Sequence, residues 1–332
     1  MSTKKDQNKI LEVQNLQTYF DTKAGLVKSV DGVNLSISKG EILGVVGESG
    51  SGKSVTGFSI MGLIDKPGKI KGGKIIYYGD EANGVDLVSS GKPYLRSLRG
   101  AKIAMIFQDP MMSLNPVLRI DTQMIEAITS HVKVSRKEAL ERARQALVKV
   151  GISSPDERLK SYPHQFSGGM RQRVAIATAL LNEPDIIIAD EPTTALDVTV
   201  QAQILYEVKK LCRESGTALI WVTHDLALVS GLADRVAVMY AGRIVETGSI
   251  KDIVNTPRHP YTVGLMKSVP SNNKRGEPLF QIPGMAPSLA NLPQGCSFRP
   301  RCQYATEECW QIPEEKKLNK HHLVSCFNPE EA

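Results

Sequence analysis

GEILGVVGESGSGKS, residues 40–54, passes from an apolar run (Ile42–Val46) through a glycine-rich turn towards a helix. Its second half, Gly47-Glu48-Ser49-Gly50-Ser51-Gly52-Lys53-Ser54, fits G-x-x-x-x-G-K-[ST]. Successive backbone N–H groups of such a loop point into a concave site, and the following helix presents its positive end to phosphate. Glycine lets the backbone approach without a Cβ clash. Lys53 is placed to reach the β- and γ-phosphates, and the Ser54 hydroxyl to ligate Mg²⁺. A chance glycine-rich turn lacks the strand–loop–helix context found here. The reading is an α/β nucleotide fold.

Asp190 and Glu191 end the apolar run Ile186–Ala189. That run has no polar face, so it reads as a strand buried on both sides. Ligands of parallel sheets gather at the carboxyl ends of strands. Asp190 is therefore assigned to Mg²⁺ and Glu191 to polarising the attacking water. A second backbone anion site is suggested by Phe166-Ser167-Gly168-Gly169-Met170 ahead of a helix. The chain already has one phosphate cradle, so a second points to a nucleotide held mainly by another subunit.

Residues 10–38 alternate in short strand-like segments, and 70–78, 101–107 and 218–224 read as further strands. From about 110 to 182 the pattern turns helical. Ser135 with Glu138 gives a capping-box signature before Ala139, Leu140, Ala143, Ala146, Leu147 and Val150, and Gly151 is placed to stop that helix. A second helix is expected over Met170–Leu181, and a third from an Asp197 cap to Gly216. RVAVMY and RIVETG around Ala241-Gly242 suggest a hairpin. After about 255 prolines recur, periodicity fades, and an appended, loop-rich region begins.

The chain has 332 residues, a net charge of +6, 41% hydrophobic and 23% charged residues. These proportions exclude disorder as the main state. A membrane span needs about 20 apolar residues, and runs such as 185–189 and 218–222 are far shorter. The start, MSTKKDQNKI, has no apolar signal core, so a reducing cytosol is expected.

Taken in order, the phosphate loop, Gln108, the SGG segment, Asp190-Glu191, Thr194-Ala195-Leu196-Asp197 and His224 resemble the nucleotide-binding subunit of an ATP-binding cassette (ABC) transporter, over about residues 10–255. The resemblance implies a P-loop NTPase core with an antiparallel β subdomain and a helical subdomain (about 110–182). It implies a cassette over 1–255 and a cysteine-containing extension over 256–332. By it, Phe20 (or Tyr19) stacks on adenine, and Gln108 touches Mg²⁺ and the attacking water. Ser167, Gly168 and Gly169 clamp the γ-phosphate of a partner's ATP; Asp197 couples the two sites; His224 contacts the γ-phosphate and holds water and Glu191 in place. Phe166 and Met170 depart from the usual LSGGQ.

Residues 108–116 (QDPMMSLNP), 258–265 (RHPYTVGL) and 282–302 (IPGMAPSLANLPQGCSFRPRC) are similar to the oligopeptide/dipeptide import subfamily, and to the first of its two paralogous ATPase subunits. The implied partners are a paralogous ATPase (or an identical copy), two transmembrane permease subunits gripped near 108–116, and an extracytoplasmic peptide-binding protein. The implied place is the cytoplasmic face of the membrane. Nickel, glutathione and oligosaccharide importers use similar ATPases, so cargo rests on resemblance alone. A cassette ATPase acting on nucleic acid is disfavoured, because neither a long coiled-coil insertion nor a basic stripe interleaved with aromatics is present.

Cys296, Cys302, Cys309 and Cys326 are spaced C-x5-C-x6-C-x16-C. Four thiolates suit a metal site, though the spacing matches neither a zinc ribbon nor a common ferredoxin. The resemblance favours a [4Fe–4S] cluster over Zn²⁺, and adjacent His321 and His322 keep a mixed zinc site open. Such a metal would hold together a proline-rich tail with a poor core. Cys212, on an amphipathic helix, reads as a packed thiol.

Overall fold

The computed structural model describes residues 8–23, 25–79, 83–193, 196–269, 278 and 280–330. The chain runs β1 (Lys9–Thr22), β2 (Gly25–Ser38), β3 (Ile42–Val46), α1 (Lys53–Met61), β4 (Gly68–Tyr77), β5 (Val85–Asp86), α2 (Lys92–Leu98) and β6 (Ile103–Ile106). Next come α3 (Ile120–Thr129), α4 (Arg136–Lys149), α5 (Pro155–Leu159), α6 (Gly168–Leu180), β7 (Ile186–Asp190), α7 (Val198–Ser215), β8 (Ala218–Thr223) and α8 (Leu226–Ser230). It closes with β9 (Arg235–Tyr240), β10 (Arg243–Ser249), α9 (Ile250–Asn255), α10 (Pro260–Lys267), β11 (Lys316–Lys317) and β12 (Leu323–Val324).

Among the described residues the strands form two sheets, β2-β1-β4-β5 and β11-β12-β10-β9-β3-β8-β7-β6. The first is antiparallel. In the second, β9, β3, β8, β7 and β6 run parallel, which brings their five carboxyl ends to one edge. All five residues of β3 and of β7 are buried. Ile186 and Ile188 face the core under the antiparallel sheet, and Ile187 and Ala189 face the helical side. The two-sided apolar run of β7 thus packs as its composition requires.

The N-terminal strands are longer than the sequence suggested. β1 and β2 have 14 residues each. Their register shifts between Val13 and Leu16, where Asn15 holds φ 47° and its amide donates to the Asn34 side chain at 2.8 Å. A bulge there resets the inside–outside alternation, so one strand reads as two. The β9–β10 hairpin turns on Ala241 (φ 46°) and Gly242 (φ 84°), the paired left-handed geometry of a tight two-residue turn.

Ser135 caps α4 by accepting from the Glu138 amide at 3.2 Å. The reciprocal half of the box is not formed, because the Glu138 carboxylate pairs with Arg142 at 2.6 Å. Ala139, Ala143 and Leu147 are buried, whereas Leu140 faces solvent. α7 opens on the Asp197 cap and stops at Gly216 (φ 71°), with Cys212 buried and its thiol pushed up to about 12 by desolvation.

The tail does not hang from the cassette as an appendage. β12 pairs with β10 in the large sheet. Tyr261 and Phe298 join Tyr240 in the main core, with ring centroids 4.6–5.5 Å apart. The poor core expected of residues 256–332 is thereby supplemented from the cassette itself.

Candidate nucleotide site

The sheet fixes the site. β3 delivers the phosphate loop, β7 ends in Asp190, β8 leads to His224 and β6 leads to Gln108. Gly47 and Gly52 are required by packing: a Cβ on Gly47 would lie 2.1 Å from the Met239 carbonyl, and one on Gly52 2.1 Å from that of Ser29. Gly50 (φ 78°) instead faces open space. Among the described residues the buried Ser51 hydroxyl has no hydrogen-bond partner. Lys53 Nζ folds back, donating to the Gly47 and Glu48 carbonyls at 2.8 and 2.9 Å. Burial lowers its proton affinity, while Glu191, Asp190 and Glu48 raise it. Among the described residues, an orphaned hydroxyl and an ammonium whose hydrogen bonds go to loop carbonyls suit a loop that receives phosphate.

Ser54 Oγ donates to Asp190 Oδ1 at 2.8 Å. Burial holds Asp190 above the ordinary carboxylate range, opposed by the Ser54 bond and by Lys53, and reinforced by Glu191. The two oxygens fit the hard-ligand chemistry of Mg²⁺. Glu191 sits at φ 44° with its amide bonded to the Val222 carbonyl at 2.9 Å. This tie to β8 sets its carboxylate 3.3 Å from His224 Nδ1. Lys53, Ser54, Asp190, Glu191 and His224 are therefore brought together. Gln108 lies exposed just past β6, on the same sheet edge.

Phe20 is half-buried on β1, on the face shared with Thr18, whose hydroxyl meets Ser59 of α1 at 2.8 Å. The Tyr19 hydroxyl is committed to Asp31, and burial, reinforced by that bond, pushes it up to about 12. Phe20 is thus the better placed of the two for a base.

Ser167 caps α6, accepting from the Met170 amide at 3.3 Å, and is exposed with Gly168. Among the described residues a Cβ on Gly168 would meet nothing within 4 Å, while one on Gly169 would lie 3.0 Å from Val200 Cγ1 on α7. The departures from LSGGQ are anchors: Phe166 is buried in the core and Met170 packs against it. Asp197 is exposed and caps α7 through the Val200 amide at 2.9 Å. Thr194 and Ala195 lie outside the described residues.

Sequence reasoning missed two residues of the tail. Tyr261 Oη accepts from the Glu48 amide at 2.8 Å, and Arg301 forms a two-pronged pair with the Glu48 carboxylate at 2.7 and 3.0 Å. These contacts span 213 and 253 residues, beyond the reach of any local pattern.

Residues 30–194 match the family described as ABC transporter, and residues 245–309 that described as oligopeptide/dipeptide transporter, C-terminal region. The oligopeptide transport ATP-binding protein OppD of Escherichia coli (strain K12) is 47% identical over 97% of this chain and 94% of its own. The dipeptide transport ATP-binding protein DppD of Bacillus subtilis (strain 168) is 49% identical over 96% of this chain and 94% of its own. The chain belongs to the ABC transporter family, in its oligopeptide/dipeptide branch.

This ABC ATPase also superposes on the dimeric structure of a post-hydrolysis state of the ATP-binding cassette MJ0796 bound to ADP and Pi, with TM-score 0.64, 29% identity, and cover of 73% of this chain and 99% of that one. No helix among its described residues is long and apolar enough to cross a membrane.

The four cysteines of the tail lie around a common space. Cys296, Cys302, Cys309 and Cys326 are free and line one small cavity together with His259 and Tyr304. Among the described residues, however, no group of three His, Cys, Asp or Glu is arranged to hold a metal ion. His322 Nε2 meets the buried Glu246 carboxylate at 2.7 Å. Burial pushes the Cys296 and Cys302 thiols up and Cys326 to about 12, and the neighbouring thiols add to the effect. Four cysteines around one cavity are a donor set that fits a thiolate-bound metal.

Proposed function

We propose that this ABC ATPase binds Mg²⁺·ATP at Lys53, Ser54 and Asp190, closes on a second cassette, and uses hydrolysis to drive uptake of di- and oligopeptides. The convergence of Lys53, the Ser54–Asp190 pair and the Glu191–His224 pair at one sheet edge carries the reading. Ser54 and Asp190 would hold Mg²⁺, whose positive charge would offset that of the phosphates. Glu191 takes a proton from the water attacking the γ-phosphorus, His224 orients that carboxylate, and Gln108 reaches the same water from the β6 end. Phe20 stacks on the adenine.

The partner cassette's ATP meets Ser167, Gly168 and Gly169, with Asp197 beside them. Support comes from Gly168, which neither packing nor a left-handed φ requires to be glycine. Closure favoured by the sandwiched nucleotides draws the partners together, and loss of the γ-phosphate releases them. The second cassette is a paralogue ahead of an identical copy. Two separate permease subunits dock near 108–116, where Met112 and Val117 are exposed, and an extracytoplasmic binding protein delivers the peptide. The chain works at the cytoplasmic face of the membrane. Uptake of labelled peptides in a deletion strain complemented with this chain tests the cargo; restored nickel or glutathione uptake without peptide uptake would reassign it.

The convergence of four thiols on one cavity supports a second assignment, a metal held by Cys296, Cys302, Cys309 and Cys326, with [4Fe–4S] ahead of Zn²⁺. Iron and sulfide analysis of anaerobically purified protein decides it: a colourless preparation with one zinc overturns the cluster.

A further inference from the structure

An acidic side chain inside a phosphate loop works against the loop's ligand. Glu48 is such a residue, close enough to Lys53 to raise its proton affinity. Its charge is met from the tail. Arg301, with a side chain only 6% exposed, forks onto both Glu48 oxygens. The guanidinium is itself fixed. Its Nε donates to the Pro283 carbonyl at 2.8 Å, and one Nη reaches the Tyr240 hydroxyl at 3.3 Å. A planar fork held at both edges positions a carboxylate in a way a lysine does not. Tyr261 takes the Glu48 amide, so the second residue of the loop is gripped at backbone and side chain.

The grip originates in the cysteine turn. The Cys296 amide bonds to Cys309, Arg299 to Cys296, Arg301 to Phe298 and Cys302 to Arg299, all through backbone carbonyls at 2.9–3.2 Å. Arg301 thus rides on a short, closed run whose ends are two of the clustered thiols.

We propose that Arg301 is a positioning residue for ATP: from the cysteine-bearing turn it holds and neutralises Glu48, so that nucleotide affinity depends on the integrity of that turn. The inference rests on the ATPase reading above. It predicts a charge effect. Without Arg301, Glu48 faces the triphosphate uncompensated.

The test is the affinity of the purified full chain for a fluorescent N-methylanthraniloyl ATP, with the fold monitored by circular dichroism. Arg301→Ala should weaken binding roughly tenfold, the scale of losing a charge-assisted fork. Adding Glu48→Gln to that variant should restore most of the loss, which a purely structural defect would not allow. Arg301→Lys should fall between, and serves if Arg301→Ala does not fold. Cys302→Ser should weaken binding in the parent and add nothing to Arg301→Ala. Unchanged affinity in folded Arg301→Ala, or no rescue by Glu48→Gln, overturns the proposal. Parental affinity in Cys302→Ser overturns its link to the thiols. Lys53→Ala separates the two levels: if it loses binding while Arg301→Ala does not, only this inference fails, and if it binds like the parent, the nucleotide reading itself fails.

Discussion

Glu191 sits in the left-handed region (φ 44°), a geometry costing a non-glycine residue about 1–3 kcal/mol. The Val222 contact holds it there, and the result is a carboxylate that is 14% exposed beside His224. Glu191→Gln keeps the shape and removes the base. ATP binding should persist while phosphate release falls by roughly 10²–10⁴-fold, the usual contribution of a positioned base. Turnover at the parental rate in the assembled transporter would remove Glu191 from the mechanism. The charges around it also set a pH window. Burial raises Asp190 and lowers Lys53. Binding of Mg²⁺·ATP needs the first ionised and the second protonated. Affinity should therefore fall with acid above the ordinary aspartate range, and with alkali below the ordinary lysine range. Nucleotide titrations across pH would show limbs drawn inward on both sides; limbs at the ordinary values would contradict the burial.

At the scale of elements, the start of α6 separates packing from function. Gly168→Ala meets no atom within 4 Å and replaces a poor helix former by a good one. The thermal midpoint should hold or rise, by the equivalent of at most about 1 kcal/mol. ATP hydrolysis by the assembled pair should nevertheless drop, because a methyl group would stand where the partner's nucleotide approaches. Normal activity would show that this face meets no phosphate. The same elements show what sequence can carry. The phosphate loop, the β7 acids, the Asp197 cap and the Ala241-Gly242 hairpin were legible because each obeys a local rule of turn, cap or period. The 14-residue strands were not, since the bulge at Asn15 breaks the alternation by which strands are recognised. Leu140 keeps the helical spacing but faces solvent, because α4 buries only Ala139, Ala143 and Leu147. The Glu48 grip was invisible: Tyr261 and Arg301 lie in segments that carry a family resemblance but no spacing that points to the loop.

At the scale of the whole molecule, the tail is tied to the cassette through a buried polar cluster as well as through aromatic rings. The fully buried Glu246 carboxylate accepts the amides of Arg258 and His259 at 2.8 Å each and meets His322. His259 Nδ1 in turn accepts the Tyr261 amide at 3.0 Å, so that nitrogen must carry no proton. Burial lowers His259 to about 4, against an ordinary 6.5, and Glu246 only partly opposes this. A group depressed on folding gives stability that is complete above its unfolded value and is lost as pH falls towards its folded value. The window is therefore pH 6.5 down to about 4. A depression of this size corresponds to about 3 kcal/mol, an upper figure for one fully buried ring. Protonation would break the bond to the Tyr261 amide and loosen the residue that holds Glu48. Denaturant unfolding across that window should show falling stability in the parent and a flatter profile in His259→Asn, whose amide oxygen can still accept from Tyr261. Equal slopes in the two proteins would mean that other groups set the acid limit. Loss of nucleotide affinity over the same window, ahead of global unfolding, would place the first opening at the junction of tail and phosphate loop.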